Sequence, residues 1–132
     1  MGAECQRQLS LGNVDSFAVP RIAASPMAKP CIVLTTHPEL AGAKALAKTL
    51  LQEKLIACAT LGPGMQSLYV WDGEIQEDTE VQLLLKTDLD KFEALEARVK
   101  ELHPYDVPEL LAIAVTQGSA DYLQWVQDCV GG

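Results

Sequence analysis

The sequence predicts an α+β domain, a ferredoxin-like βαββαβ sandwich with an extra C-terminal helix. Three observations predict it: short strand-like apolar runs, two amphipathic helical segments between them, and an Asp-Gly turn that joins the second and third strands. With 132 residues, of which 48% are hydrophobic, the chain can bury a core of its own. Residues 30–132 form this domain, and residues 1–29, which lack a sustained period, are interpreted as an N-terminal extension or leader.

The first strand and the first helix follow this extension. CIVLTT, at residues 31–36, is a short apolar run that favours a strand. Thr36 and Glu39 match the capping-box pattern, with Pro38 in the first turn. Apolar residues then recur at helical spacing, which predicts an amphipathic helix over about 38–54.

A long hairpin comes next. Residues 55–71 are apolar and favour a strand, with an interruption at residues 62–64, and residues 74–87 return as the partner strand. Asp72 and Gly73 lie between the two segments. Because both central residues of a tight hairpin turn need positive φ, this dipeptide predicts the turn that joins them.

The last third of the chain predicts a helix, a strand and a helix. Apolar residues at helical spacing mark residues 89–102, and Pro104 ends that helix. His103 precedes the proline and is therefore excluded from the α region. A fourth apolar strand follows at 109–115, and Ser119 is the predicted N-cap of a short final helix.

The strands are apolar on both faces, as CIVL, QLLLK and LLAIAV illustrate. The βαββαβ plan places its two main helices on one sheet face, so strands with a solvated second face should alternate between apolar and polar residues. These strands do not alternate, and the chain has no helix to spare for the second face. The sequence therefore predicts a homo-oligomer that associates through the sheet.

Charge and cysteine spacing exclude several classes of protein. The net charge is −8 and no basic run is present, which argues against nucleic-acid binding and against binding to anionic membranes. No apolar run approaches the roughly 18 residues that a membrane helix needs. The cysteines have long, irregular spacings that fit a reducing compartment, and we predict a cytoplasmic location.

Two longer stretches carry a family resemblance. They read ACATLGPGMQSLYVWDGEIQEDTEVQLLLKT and HPYDVPELLAIAVTQGSADYLQW. Over residues 31–128 the chain resembles the CutA family of divalent-cation tolerance proteins. The resemblance implies a homotrimer of ferredoxin-like subunits with a role in tolerance of copper and other divalent metals, and no established enzymatic activity. The trimer of this family is similar to that of the PII signalling proteins, which bind small ligands between subunits.

The resemblance implies only part of a metal site. Bacterial members can bind copper through a cysteine at the end of the first strand and a pair of histidines before the Pro-Tyr turn. Thr35 occupies the cysteine position here, and Leu102 replaces the first histidine, so only His103 matches. His37, the nearest local substitute, does not occupy a family ligand position. The resemblance therefore implies His103 as the metal ligand and weak copper binding.

His103 also has other interpretations. A neutral imidazole can ligate a metal or act as a general base. Equally, a histidine at a helix C-terminus is favoured by the helix dipole, and Pro104 fixes this one in a turn. A metal site would need further ligands, such as Asp106, Glu109 or His103 of other subunits.

The candidate ligand-binding residues are Trp71, Glu80, Lys86, Tyr105 and Glu109. Aromatic side chains line small-ligand clefts, but they are also enriched where subunits pack. Charged residues in or beside apolar strands indicate either a site or an inter-subunit salt bridge, because a buried charge is costly unless it is paired.

We therefore predict a homotrimeric protein of divalent metal-ion tolerance or homeostasis that binds divalent cations, copper among them, weakly. One alternative is a PII-like regulatory module that binds a small ligand between subunits, and another is a trimeric scaffold. An enzyme is not predicted, because the sequence holds no nucleophile elbow, P-loop or glycine-rich dinucleotide motif.

Overall fold

A computed structural model describes residues 28–131. Its elements are β1 (Pro30–His37), α1 (Leu40–Gln52), β2 (Cys58–Trp71), β3 (Glu74–Asp88), a 3₁₀ turn (Leu89–Lys91), α2 (Phe92–Leu102), β4 (Leu111–Ala114) and α3 (Ala120–Val130). The described strands form one antiparallel sheet in the order β2-β3-β1-β4. The predicted α+β class and element order are confirmed. Residues 1–27 of the predicted extension lie outside the described residues.

The core lies between one face of the sheet and the helices α1 and α2. Val33 of β1 and Leu83 and Leu85 of β3 are fully buried. They belong to one apolar cluster with Leu50 of α1 and Leu95 of α2. Because side chains alternate between the two faces of a strand, this cluster fixes which residues point to the opposite face.

The opposite face carries a second apolar surface, which we call the second-face patch: Ile32, Leu34, Leu84, Leu111 and Ile113. Leu34 is in register with both Leu84 and Leu111, and Ile32 is in register with Ile113. The β4 members Leu111 and Ile113 are 55% and 51% exposed. The two-faced apolar character that the sequence predicted is therefore present, and part of it faces solvent in the single chain.

The helix α3 forms a smaller cluster of its own. It lies against β3 and β1, and its Val126 and Val130 are buried together with Ala57. The Ser119 side chain accepts the Tyr122 N–H at 3.2 Å, which confirms the predicted cap. A third helix therefore contacts the sheet, which the sequence argument did not anticipate.

The β2–β3 turn has the predicted conformation, with positive φ at both Asp72 and Gly73. β2 begins at Cys58 rather than at residue 55. The predicted interruption is a register shift between Gly62 and Met65, and the strand continues through it. A bulge bends a strand without ending it, so the hairpin stays paired beyond the irregularity.

Beyond this bulge the hairpin projects as an arm, residues 65–79. Its apolar side chains are mostly exposed: Leu68, Val70, Trp71 and Ile75 are between 63% and 77% exposed. Exposed apolar residues on a paired strand are typical of a surface that contacts another molecule.

The predicted capping box at the start of the first helix is wrong. Thr36 belongs to β1, and α1 begins at Leu40 with Glu39 as an N-cap whose side chain makes no capping hydrogen bond. β1 extends through His37, and the His37 imidazole Nδ1 accepts the Glu39 N–H at 3.0 Å. The side chain of His37, two residues before Glu39, thus satisfies a helix-terminal donor that the capping-box pattern assigned to Thr36.

Two further sequence predictions concern the cellular compartment of the protein and the lack of a membrane-spanning helix. Among the described cysteines, Cys31 and Cys58 are free thiols and Cys129 is disulfide-bonded. The cytoplasmic location stays a prediction. Within residues 28–131 no helix has the length and apolar character that crossing a bilayer requires.

The packing of α1 predicts that two neighbouring leucines contribute very different amounts to the free energy of unfolding. Leu50 is fully buried, whereas Leu51, next to it on α1, is 40% exposed. Leu50→Ala should lower the free energy of unfolding by about 2–5 kcal/mol through lost burial and a cavity. Leu51→Ala, the matched control, should lower it by less than about 1 kcal/mol. Urea denaturation of both variants measures this, and equal losses would contradict the assigned packing of α1.

Candidate functional site

His103 holds the end of β1 against the turn between α2 and β4. Its backbone is extended, with φ −79° and ψ 141°, as expected before Pro104. Its Nδ1 accepts the Tyr105 N–H at 3.0 Å, and its Nε2 lies 2.6 Å from the Thr36 carbonyl oxygen. Because Nδ1 accepts, the ring proton resides on Nε2, which donates to Thr36. Both nitrogens of this buried imidazole are therefore engaged with backbone.

His37 lies beside it, with ring centroids 5.3 Å apart. The His37 ring packs onto α1 so closely that a Cβ atom at Gly42 would lie 2.1 Å from its Cε1. Only glycine fits at that position without displacing the ring. The two histidines thus form a buried pair that joins β1, the first turn of α1 and the α2–β4 turn.

Next to the histidines lies a group of side chains that we call the carboxylate–phenol cluster: Tyr69, Asp78, Glu80 and Tyr105. The Tyr105 hydroxyl donates to Glu80 Oε2 at 3.1 Å. The Tyr69 hydroxyl donates to Asp78 Oδ2 across the hairpin. The Tyr105 ring also lies 4.9 Å from the ring of His103, so the cluster adjoins the histidine pair.

The two phenols in this cluster stay protonated at neutral pH. Burial, together with the negative charge of Glu80, raises the pKa of Tyr105 to about 12. The hydrogen bond to Asp78 raises the pKa of Tyr69. Neutral hydroxyls orient the carboxylates but leave both formal charges in place.

The negative charge of the cluster has no cation beside it among the described residues. Glu80 is only 9% exposed. The salt bridges between described residues all involve Arg98 or Lys100, both on α2, and none reaches Glu80 or Asp78. A carboxylate this far removed from water is costly unless a positive charge compensates it.

The structure brings together some of the predicted site residues and separates others. Glu80 and Tyr105 meet, and His103 adjoins Tyr105. Trp71 is 70% exposed near the tip of the hairpin arm. Lys86 lies roughly 20 Å from Glu80 along β3, counting about 3.4 Å per residue, and its Nζ donates to a threonine hydroxyl, Thr60 Oγ1, at 2.5 Å.

Two residues remain to be compared with the sequence prediction, Glu109 and Asp78. Glu109 is exposed and makes no salt bridge with another described residue. Asp78 was not predicted. The signal was available in the hairpin pattern: Asp78 is two residues from Glu80 on the same strand face, and it is the diagonal neighbour of Tyr69, whose register partner is Gln76.

The residues of the implied copper site do not form a ligand set in residues 28–131. Thr35, at the cysteine position, is fully buried, and its hydroxyl has no hydrogen-bond partner among the described residues. Leu102 offers no donor atom, and both nitrogens of His103 are already bonded. No group of three or more His, Cys, Asp or Glu side chains within the described part of the chain could hold a metal ion.

The chain matches a known protein family. The sequence model of a family described as CutA1 divalent ion tolerance protein matches residues 31–129. A divalent-cation tolerance protein CutA of Pectobacterium atrosepticum is 45% identical over 101 residues, which cover 76% of this chain and 92% of that protein. The protein of the same name from Escherichia coli is 50% identical over 95 residues, which cover 72% and 85% of the two chains.

Solved structures of proteins with the same family name are also similar to this chain. CutA1 from Oryza sativa is 37% identical, with a TM-score of 0.76, and the match covers 77% of this chain and 94% of that one. A protein of Archaeoglobus fulgidus described as a periplasmic divalent cation tolerance protein CutA is 34% identical with a TM-score of 0.75, and the match covers 76% and 98%.

The buried histidine pair predicts a pH-dependent loss of stability. Burial, and the neighbouring His103, lower the pKa of His37 from its usual 6.5. Below pH 6.5 the unfolded state therefore binds more protons than the folded state, so the free energy of unfolding falls as the pH drops. His37→Gln, whose amide oxygen can still accept the Glu39 N–H, should lose less stability between pH 7 and pH 5 than wild type in urea denaturation. An identical loss in both proteins would contradict the assignment.

Proposed function

Because this chain belongs to the CutA1 divalent ion tolerance protein family, we propose that it acts in divalent metal-ion tolerance or homeostasis, with weak divalent-cation binding as the molecular event. The observation that supports this most is the family match over residues 31–129, which spans nearly all of the described fold. The net charge of −8 favours attraction of cations over anions. We propose a binding role rather than a catalytic one.

We propose that copper binding is weak and involves His103. Copper is favoured among divalent first-row metals by the Irving–Williams order and binds neutral imidazole. To ligate it, His103 would have to release either the Tyr105 N–H or the Thr36 carbonyl. Because an existing hydrogen bond is lost when the metal binds, the net free energy of metal binding is smaller. Thr35 and Leu102 supply no soft ligand.

We propose that the assembly is a ferredoxin-like homotrimer. Two surfaces of the single chain support association: the second-face patch, with Leu111 and Ile113 more than half exposed, and the exposed apolar side chains of the hairpin arm. Both would lose water contact against a neighbouring copy. A ring of three copies is what the family resemblance implies.

A second candidate function is a PII-like module that binds a small ligand between subunits. The carboxylate–phenol cluster favours it, because Glu80 and Tyr105 are hydrogen-bonded to each other beside a buried histidine. A few convergent polar groups beside aromatic rings are typical of ligand sites. Trp71, Lys86 and Glu109 would join such a site only through a neighbouring subunit.

The metal-binding proposal is tested by calorimetric titration of Cu²⁺ and Zn²⁺ into wild type and His103→Ala. Wild type should bind Cu²⁺ weakly at pH 7 and more weakly at pH 5, since acid protonates imidazole and a metal needs the neutral form. His103→Ala should lose most of this binding, whereas His37→Gln, the control, should keep it. Unchanged affinity in His103→Ala would leave His103 as a turn residue only.

The assembly proposal is tested by sedimentation equilibrium. Wild type should remain trimeric at low micromolar concentration. Leu84→Glu, which places a charge in the second-face patch, should dissociate or unfold the protein, because a desolvated charge without a partner is costly. Leu51→Glu, at a half-exposed position on α1, is the control and should stay trimeric. A stable, folded wild-type monomer would refute the proposal.

A further inference from the structure

We draw no further inference here: the strongest candidate, the side-chain cluster of Cys58, Thr60 and Lys86 on the paired strands β2 and β3, carries nothing because Lys86 already donates to the Thr60 hydroxyl and nothing else among residues 28–131 points to a ligand there.

Discussion

The paired strands β1 and β3 are the constraint on which the rest of the structure depends. Their ladder runs from Pro30 opposite Asp88 to His37 opposite Val81. Alternation along it places Val33, Leu83 and Leu85 beneath the helices and the second-face patch on the other side. The ladder stops at Val81, so Glu80 is the first residue of β3 past its end. The turn after α2 can therefore reach Glu80.

The histidine pair joins this end of the ladder to the helices. The Thr36 carbonyl accepts a hydrogen bond from His103 Nε2. Tyr105, two residues after His103, donates its backbone N–H to Nδ1 of the same ring. That geometry carries the Tyr105 hydroxyl to Glu80. The neutral imidazole serves as a backbone connector with one donor and one acceptor, a role that protonation or metal coordination would disrupt. A structural role and a metal-binding role for His103 thus compete for the same atoms.

Stability and ligand binding impose different demands at the carboxylate–phenol cluster. A packed protein of this size gains from apolar burial and loses from an unpaired internal charge. Glu80 is buried beside Asp78, and its described hydrogen bond comes from the neutral Tyr105 hydroxyl. The second-face patch and the hairpin arm likewise keep apolar surface in water. These apolar surfaces are unfavourable in a solitary chain and support the proposed association between copies.

The sequence alone was sufficient for features set by near neighbours. The hairpin turn at Asp72 and Gly73, the cap at Ser119 and the extended His103 before Pro104 follow from local backbone preferences, and the element order follows from hydrophobic period. The family resemblance, drawn from the same residues, is confirmed by the match over residues 31–129.

Tertiary structure decided what comes together from distant parts of the chain. The Thr36 capping box failed because pairing with β3 extends β1 through His37, so that Thr36 stays in the strand and the His37 imidazole accepts the Glu39 N–H instead. Tyr105 meets Glu80 from 25 residues away, whereas Lys86, on the same strand as Glu80, is too far along it to join. Such contacts depend on where the β1–β3 ladder ends and on where the α2–β4 turn lies relative to that end. No local sequence pattern encodes the distances between these distant parts of the chain.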